Sequence, residues 1–274
     1  MQLYEFGFEA FDTAIYGRYV QPEDAKGVVV LAHGFAEHSG RYIKNVVPAL
    51  LALQLAVVLY DNIGHGKSGG KRGHCPSYDA LQEVLGSVIN RASELFPNVP
   101  LFLYGHSMGG NLVLNYALRN DIALGGVVVT SPYLRLAFQP PKWKMILGRM
   151  MLRILPSITL ASGLDPNGIS RIPEAVEKYK ADPLVFDQVS PMYSLPIMEA
   201  GEWAIANAGN LKVSALLLHG TADPIIDYRA TEEFHNNSDK TTLKLFPGGY
   251  HELHHDQCAD EMMAVVTNWL KNKL

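Results

Sequence analysis

The stretch "LFLYGHSMGGNLVL", residues 101–114, changes its pattern of apolar residues halfway along. Its first four residues are all apolar or aromatic, as in a strand that is buried on both faces of a sheet. From Asn111 onward the apolar residues recur at helical spacing. At the break, Ser107 stands between Gly105 and Gly109. The sequence therefore places a serine hydroxyl in a tight turn where a buried strand meets a helix.

This turn fits the pattern G-x-S-x-G in the strand–turn–helix context that a nucleophilic serine requires. Glycine has no Cβ atom, so two flanking glycines let the chain turn sharply without a steric clash. The first amides of the following helix have no intrahelical acceptor and lie at the positive end of its dipole. We therefore predict that Ser107 is a nucleophile and that the backbone amide of Met108 stabilises an oxyanion. The alternative is a serine that only caps the helix.

Length and composition indicate a globular protein. A chain of 274 residues can bury a full core, and folds of alternating strands and helices of this length are commonly one domain. Apolar residues make up 48% of the chain and charged residues 18%, which argues against disorder. A net charge of −4 gives no reason to expect a polyanion, so we predict no nucleic-acid partner. The oligomeric state is left open.

The cysteines and the N-terminus predict a cytoplasmic protein. Cys75 and Cys258 are interpreted as free thiols, because no secretion signal precedes them. Residues 1–12 contain early acidic residues and no basic segment followed by an apolar one. No apolar run approaches the roughly 18–20 residues that a membrane span needs. Contact with a membrane is therefore expected only at its surface.

Short runs rich in β-branched and aromatic residues alternate with helical patterns along most of the chain. This alternation predicts an α/β fold, with an N-terminal hairpin and a mostly parallel sheet covered by helices on both faces. The predicted strands are residues 3–8, 12–20, 27–33, 55–61, 100–105, 125–131, 213–220 and 241–247. The predicted helices are near residues 41–53, 78–95, 107–119, 228–237 and 257–272.

One long interval interrupts this alternation. Residues 134–211 contain no strand-like run but are rich in Met, Leu, Pro and Trp. The interval is too long for a loop within a compact domain. We predict a helical cap over residues 134–211, inserted after the sixth core strand between core segments 1–133 and 212–274.

A serine nucleophile needs a base, and the base needs an acid that orients it. In folds with this kind of serine turn, the acid and then the histidine follow the serine along the chain. Asp223 comes just after the predicted strand 213–220, and His251 follows the last predicted strand and Gly248-Gly249. We predict a catalytic triad of Ser107, His251 and Asp223.

Other residues near these positions are alternatives. Asp227 is a rival acid, which we interpret instead as the N-cap of the helix at 228–237. His254 and His255 are rivals for the base.

A second oxyanion donor is expected from the loop after the first parallel strand, residues 33–42. We predict that the backbone amide of Phe35 lies there beside that of Met108. We interpret the stretch "HELHH", residues 251–255, as having the wrong spacing and context for a zinc-binding H-E-x-x-H motif, since His254 follows Glu252 by only two residues. We predict no metal and no cofactor.

Five motifs and one cap stretch resemble the monoacylglycerol lipase and lysophospholipase family of the α/β-hydrolases, in the order that this family shows. This resemblance spans most of the chain and implies the α/β-hydrolase fold. It also implies hydrolysis of an ester with one long acyl chain, hence a lipid-like substrate, and first of all of a monoacylglycerol to a free fatty acid and glycerol. A lysophospholipase, a general carboxylesterase and a non-catalytic ligand receptor on the same fold are the alternatives. The stretches are "HGFAEHSGRY" (33–42), "DNIGHGKSGGKRG" (61–73), "GHSMGG" (105–110), "GTADPIID" (220–227), "YHELHHD" (250–256) and "ISRIPEAVEKYKADPL" (169–184).

The same resemblance implies that Glu37, Arg41 and His254 hydrogen-bond the hydroxyls of glycerol. A different interpretation is equally open for Glu37 and Arg41, whose charges could form an ion pair that holds their loop. For His254 the alternative is an ordinary surface histidine.

The stretch "PKWKMILGRMMLRILP", residues 141–156, carries an apolar stripe at helical period. One interpretation is a cap helix that lies over the core and lines a tunnel for the acyl chain. The other is a helix at a membrane surface, with its basic side chains toward the headgroups. The two are compatible. The stripe is Trp143, Ile146, Leu147, Met150, Met151, Ile154 and Leu155, widened by Met145 and Leu152, and the basic residues are Lys142, Lys144, Arg149 and Arg153.

Overall fold

The computed structural model describes residues 1–138 and 140–274, except for the side chain of Lys144. The predicted contact of Lys144 with lipid headgroups therefore lies outside the described residues. Strands and helices alternate along the chain as predicted. The strands are β1 Tyr4–Ala10, β2 Thr13–Val20, β3 Gly27–Ala32, β4 Leu55–Tyr60, β5 Leu101–His106, β6 Gly126–Thr130, β7 Leu160–Ala161, β8 Gln188–Val189, β9 Ala215–Gly220 and β10 Thr241–Phe246. The α-helices are α1 Val46–Leu51, α2 Tyr78–Leu95, α3 Met108–Arg119, α4 Lys142–Ile154, α5 Pro173–Ala181, α6 Pro191–Ala206, α7 Tyr228–Asn236 and α8 Ala259–Lys271.

Eight strands form one sheet in the order β1-β2-β4-β3-β5-β6-β9-β10. The β1–β2 hairpin and the β2–β4 pair are antiparallel, and the other neighbours are parallel. In the central register, Val29 of β3 lies opposite Val57 of β4 and Phe102 of β5. The loops that follow β3, β5, β9 and β10 therefore leave the sheet at its same edge, where ligands bind in open parallel sheets.

Each central strand contributes to two apolar layers. In β3, Val28 and Val30 pack with residues of α2, α3 and α6, whereas Val29 and Leu31 pack with residues of α1 and α8. Successive side chains of a strand point to opposite faces, and both faces are covered by helices. This explains why the strand sequences are continuously apolar. The predicted α/β fold is confirmed.

The interval 134–211, called the cap segment below, contains α4, α5, α6, β7 and β8. It leaves and rejoins the sheet between two neighbouring strands, since Val127 of β6 lies opposite Ala215 of β9. The two-residue strands β7 and β8 pair with each other and are too short to produce an alternating sequence pattern. Helix α6 packs on α3 and contributes Ile197 and Ala204 to the main core. The boundaries of a cap domain stay a prediction.

Helix α4 contributes to the wall of the main cavity, as one interpretation predicted, but most of its apolar stripe faces outward. The side chains of Ile146 and Ile154 are 68% and 63% exposed. Met145 and Gly148, on the opposite side of the helix, line the main cavity instead. Within the described residues, no helix has the length and apolar character needed to cross a bilayer. The exposed members of the stripe are Trp143, Ile146, Leu147, Met150, Ile154 and Leu155.

Candidate active site

The turn after β5 holds Ser107 in a conformation that side chains rarely adopt. Its φ is 51° and its ψ −114°, outside the ordinary regions for a non-glycine residue. A Cβ atom on Gly109 would lie 2.0 Å from the carbonyl oxygen of Ala32, and one on Gly105 would lie 2.3 Å from that of Gly109. The two glycines are therefore required by close backbone contacts. Such strain persists where the surrounding structure holds it, and it is common at functional sites.

The loops after β9 and β10 bring Asp223 and His251 together. The Nδ1 atom of His251 donates to Oδ2 of Asp223 at 2.7 Å. The other carboxylate oxygen, Oδ1, accepts the amides of Ile225 and Ile226 at 2.8 and 3.0 Å. This arrangement fixes the imidazole and leaves Nε2 of His251 as the atom able to exchange a proton with a neighbouring group.

Sequence reasoning missed a further histidine on the same carboxylate. The Nε2 atom of His219, the penultimate residue of β9, lies 3.0 Å from Oδ2 of Asp223, and its Nδ1 atom lies 2.7 Å from Oγ1 of Thr231. The available signal was a polar residue inside an otherwise apolar strand, four positions before Asp223.

The electrostatics of the pair suit proton transfer. Burial alone would raise the pKa of Asp223, but the charge of His251 and hydrogen bonds from His219 and His251 hold that pKa well below its ordinary value. Burial alone would lower the pKa of His251, but the charge and hydrogen bond of Asp223 raise it above its ordinary value. Asp223 therefore stays ionised beside a histidine that readily accepts a proton.

The rival residues lie elsewhere. Asp227 accepts the amide of Arg229 at 3.0 Å as the N-cap of α7. His255 donates from Nδ1 to Glu252 at 2.8 Å. His254 is buried and stacks on Tyr42 with ring centroids 4.9 Å apart, so the alternative that it is a surface histidine is wrong. None of these three residues bonds to Asp223 among the described contacts.

The loop after β3 runs directly against Ser107. A Cβ atom on Gly34 would lie 3.4 Å from Cβ of Ser107. The amide of Gly34 donates to Oε1 of Glu37 at 2.6 Å, and the amide of Ala36 donates to Nε2 of His65 at 3.1 Å. Phe35, between these two held amides, lines the same cavity as Ser107.

A cavity of about 580 Å³ opens at Ser107 and His251. Glu37 and Glu252 line the part next to Ser107 and His251, called the polar end below; Asp165, Lys180 and Asp187 also line the cavity, and most of the remaining wall is apolar. The cap segment supplies much of this wall, which suits a ligand with a long apolar part and one polar end. Cap residues in the wall include Met145, Leu160, Phe186, Tyr193, Leu195 and Met198.

Arg41 joins the two carboxylates at the polar end. It donates from Nη1 to Oε2 of Glu37 at 2.7 Å and from Nη2 to Oε2 of Glu252 at 2.7 Å. Its side chain is only 8% exposed, and Glu37 and Glu252 are buried as well. Burial alone would raise the pKa of Glu252, but Arg41 and His255 hold it well below its ordinary value. The ion pair proposed as an alternative for Glu37 and Arg41 is therefore present.

The prediction that "HELHH" has the wrong spacing is itself wrong, because His251, Glu252 and His255 satisfy H-E-x-x-H, so conformation decides the role of this stretch. Residues 253–255 form a short 3-10 turn, whereas the zinc motif needs a longer helix to present both histidines on one face. Glu252, His254 and His255 do place one ligand atom each within 4.8 Å of the others. Both carboxylate oxygens of Glu252 accept from Arg41, and that positive charge opposes a cation.

The sheet has eight strands and is mostly parallel. A strained serine follows its central strand, and a histidine–aspartate pair lies at the same edge. Together these features define an α/β-hydrolase. The chain belongs to the serine aminopeptidase S33 family (Hydrolase_4), whose profile matches residues 23–258.

Individual relatives are more specific. The chain is 31% identical to a monoacylglycerol lipase of Mycolicibacterium smegmatis, over 95% of this chain and 93% of the relative. It is 34% identical to the crystal structure of Paleococcus ferrophilus monoacylglycerol lipase, with a TM-score of 0.85 and all of both chains covered. It is also 34% identical to an abhydrolase domain-containing protein of Dictyostelium discoideum, over 90% of this chain but only 26% of that protein. The resemblance drawn from the motifs is confirmed.

Proposed function

We propose that this protein hydrolyses monoacylglycerols to a free fatty acid and glycerol. The observation that carries the proposal is a cavity with a mainly apolar wall, lined by Ser107 and His251 and by the buried carboxylates of Glu37 and Glu252. An acyl chain fits the apolar wall, and the hydroxyls of glycerol fit the carboxylates. The similarity to monoacylglycerol lipases supports this substrate class.

The reaction uses Ser107 as nucleophile. His251 takes the hydroxyl proton at Nε2 while Oγ of Ser107 attacks the ester carbonyl. The amides of Phe35 and Met108 stabilise the resulting oxyanion. When the bond to the alcohol oxygen breaks, His251 returns the proton to glycerol, and an acyl-serine remains. Water, deprotonated by His251, then releases the fatty acid by the same steps.

The polar end of the cavity binds the leaving alcohol. Glu37 and Glu252 line the cavity and accept hydrogen bonds from the glycerol hydroxyls. Arg41 donates to both carboxylates. His254 stacks on Tyr42, whose hydroxyl donates to Glu37. Two carboxylates and one guanidinium leave a net negative charge there, so a neutral glycerol is favoured over the phosphate of a lysophospholipid.

The proposal is tested by hydrolysis rates on monoacylglycerols of increasing acyl length and on a lysophosphatidylcholine of matched acyl chain. We expect kcat/KM to be roughly tenfold or more higher for the monoacylglycerol, equivalent to about 1.4 kcal/mol. A preference for the lysophospholipid would overturn the assignment. Failure of a fluorophosphonate to label the protein would favour a non-catalytic receptor.

We expect Arg41→Met to destabilise the fold and to reduce activity on all esters alike. Removing the guanidinium leaves two buried carboxylates uncompensated, which typically costs about 3–5 kcal/mol. The measurement is urea unfolding, together with kcat/KM on a monoacylglycerol and on a small p-nitrophenyl ester. Arg91→Met is the control, because the Arg91–Glu94 pair is exposed and contributes about 0–1 kcal/mol. A loss confined to the monoacylglycerol, with unchanged stability, would instead indicate direct contact between Arg41 and glycerol.

We also infer that the outer face of α4 rests on an anionic lipid surface. Its exposed apolar side chains form a continuous stripe, and Lys142, Arg149 and Arg153 are exposed beside it. Helices of this composition lie at membrane interfaces, with apolar residues in the acyl boundary and basic residues at the headgroups. A substrate that resides in membranes would enter the cavity from this side.

The double substitution Ile146→Ser and Ile154→Ser is expected to weaken binding to vesicles that contain anionic lipid by about tenfold or more. Full transfer of one isoleucine side chain from water to an apolar phase contributes about 1.5–3 kcal/mol to binding, and partial insertion contributes less. Serine loses this contribution. Vesicle sedimentation measures the effect. Hydrolysis of a dissolved short-chain ester should not change. Leu3→Ser removes an exposed apolar residue elsewhere and is the control; equal losses from it would contradict the assignment.

A further inference from the structure

The loop after β3 contains a residue in the left-handed region of backbone conformation. Ala36 has a φ of 64° and is buried. It directly follows Phe35, whose amide is assigned to the oxyanion. An alanine in this region is strained and stays there only where other contacts hold it.

Both polar backbone groups of Ala36 are held by residues outside its own loop. Its amide donates to Nε2 of His65 at 3.1 Å, and its carbonyl accepts the amide of Phe186 in the cap segment at 3.2 Å. The Nδ1 atom of His65 lies 3.0 Å from the carbonyl oxygen of Ile63. Nδ1 therefore carries the proton, and Nε2 offers the lone pair that Ala36 needs.

The position of the His65 ring is itself fixed. It is fully buried between Gly64 and Gly66, which have φ values of 72° and 49° and form the turn after β4. The ring packs against Phe35 and Phe186, with centroids 5.5 and 4.9 Å away. The His65 ring thus contacts the oxyanion loop and the cap segment at once.

We propose that His65 is a positioning residue of the reaction, which holds Ala36 in the left-handed conformation that directs the Phe35 amide toward Ser107. The proposal rests on the proposed function, because His65 acts through the oxyanion amide. The amide of Phe186 donates to the carbonyl oxygen of Ala36. The position of the cap segment and the backbone conformation of the loop after β3 are therefore linked.

The test compares His65→Leu with His65→Gln. Loss of one oxyanion donor lowers kcat by about 10²–10³-fold, so misplacing Phe35 in His65→Leu should lower kcat by about 10–100-fold with little change in KM. In His65→Gln the amide oxygen replaces Nε2 as acceptor, and most of kcat should return. A purely structural role would not separate these two variants in this way.

A second arm uses Ala36→Gly in the His65→Leu background. Glycine adopts a φ near 64° without steric cost, so part of the lost kcat should return without the histidine. His235→Leu is the control: it removes a histidine whose Nδ1 contacts Thr241, remote from the cavity. That variant should lower the melting temperature and leave kcat unchanged.

All rates are expressed per active site, counted by titration with a fluorophosphonate. Wild-type kcat in His65→Leu, or equal losses in the Leu and Gln variants, would overturn the positioning role. Absence of labelling in the wild-type protein would overturn the proposed function itself, and with it this inference.

Discussion

Ser107→Ala is expected to abolish ester hydrolysis, with a fall in kcat of about 10⁶-fold, as removal of a nucleophilic serine causes in serine hydrolases. In the proposed mechanism the Oγ atom of Ser107 becomes acylated, and alanine has no atom that can replace it. Alanine keeps the Cβ atom at a φ of 51°, so the strained turn and the fold should persist. The measurement is hydrolysis of a p-nitrophenyl ester and of a monoacylglycerol, with the melting temperature recorded for both proteins.

Ser93→Ala is a matched control, because that hydroxyl donates to the carbonyl of Ile89 within α2 and lies away from the cavity. It should leave turnover unchanged. Near wild-type turnover in Ser107→Ala would place the nucleophile elsewhere.

The central sheet could be predicted from sequence because its strands are buried on both faces. Runs such as residues 27–33 are apolar without interruption, and no helical pattern competes with them. The site followed from the sheet, since Ser107, Asp223 and His251 each come directly after a predicted strand. Parallel strands end at one edge, so residues in these positions are brought together by topology alone.

The cap segment could not be predicted to the same depth. The helical period of the apolar residues in α4 shows that one face is apolar. The period alone does not say whether that face covers the core or lies on a membrane surface. The cavity is lined by Met145, which was predicted only to widen the stripe, and by Gly148, which stands outside it. Only the three-dimensional packing on α6 decides which side of α4 is inside.

The supporting histidines were also beyond the reach of sequence reasoning. His65 looks like any turn residue between two glycines, and His219 looks like a polar interruption in a strand. Ala36, the partner of His65, lies on another loop of the same edge, and a hydrogen bond between separate loops leaves no spacing signal in the chain. Asp223 follows His219 by only four residues, but that spacing alone does not reveal a hydrogen bond between them.

Asp223→Asn is expected to lower kcat by about 10⁴-fold while the protein remains folded. The carboxylate accepts the Nδ1 proton of His251 and so leaves Nε2 free to take the serine proton. An asparagine amide can instead donate to Nδ1, which places the imidazole proton on Nε2, where it blocks that transfer. Rates of acyl-enzyme formation with a p-nitrophenyl ester measure this step directly.

The pH profile of the same variant gives an independent result. Activity requires neutral His251, so kcat/KM of the wild type rises with pH through the pKa of that histidine. Asp223 raises this pKa against the effect of burial, which lowers it. Without the charge, the residual activity of Asp223→Asn should therefore reach its plateau at a lower pH than in the wild type. Asp227→Asn is the matched control, since asparagine caps a helix as well as aspartate does. If Asp227→Asn were the more damaging change, or if the acid limb of Asp223→Asn moved to higher pH, Asp223 would not be the acid that orients His251.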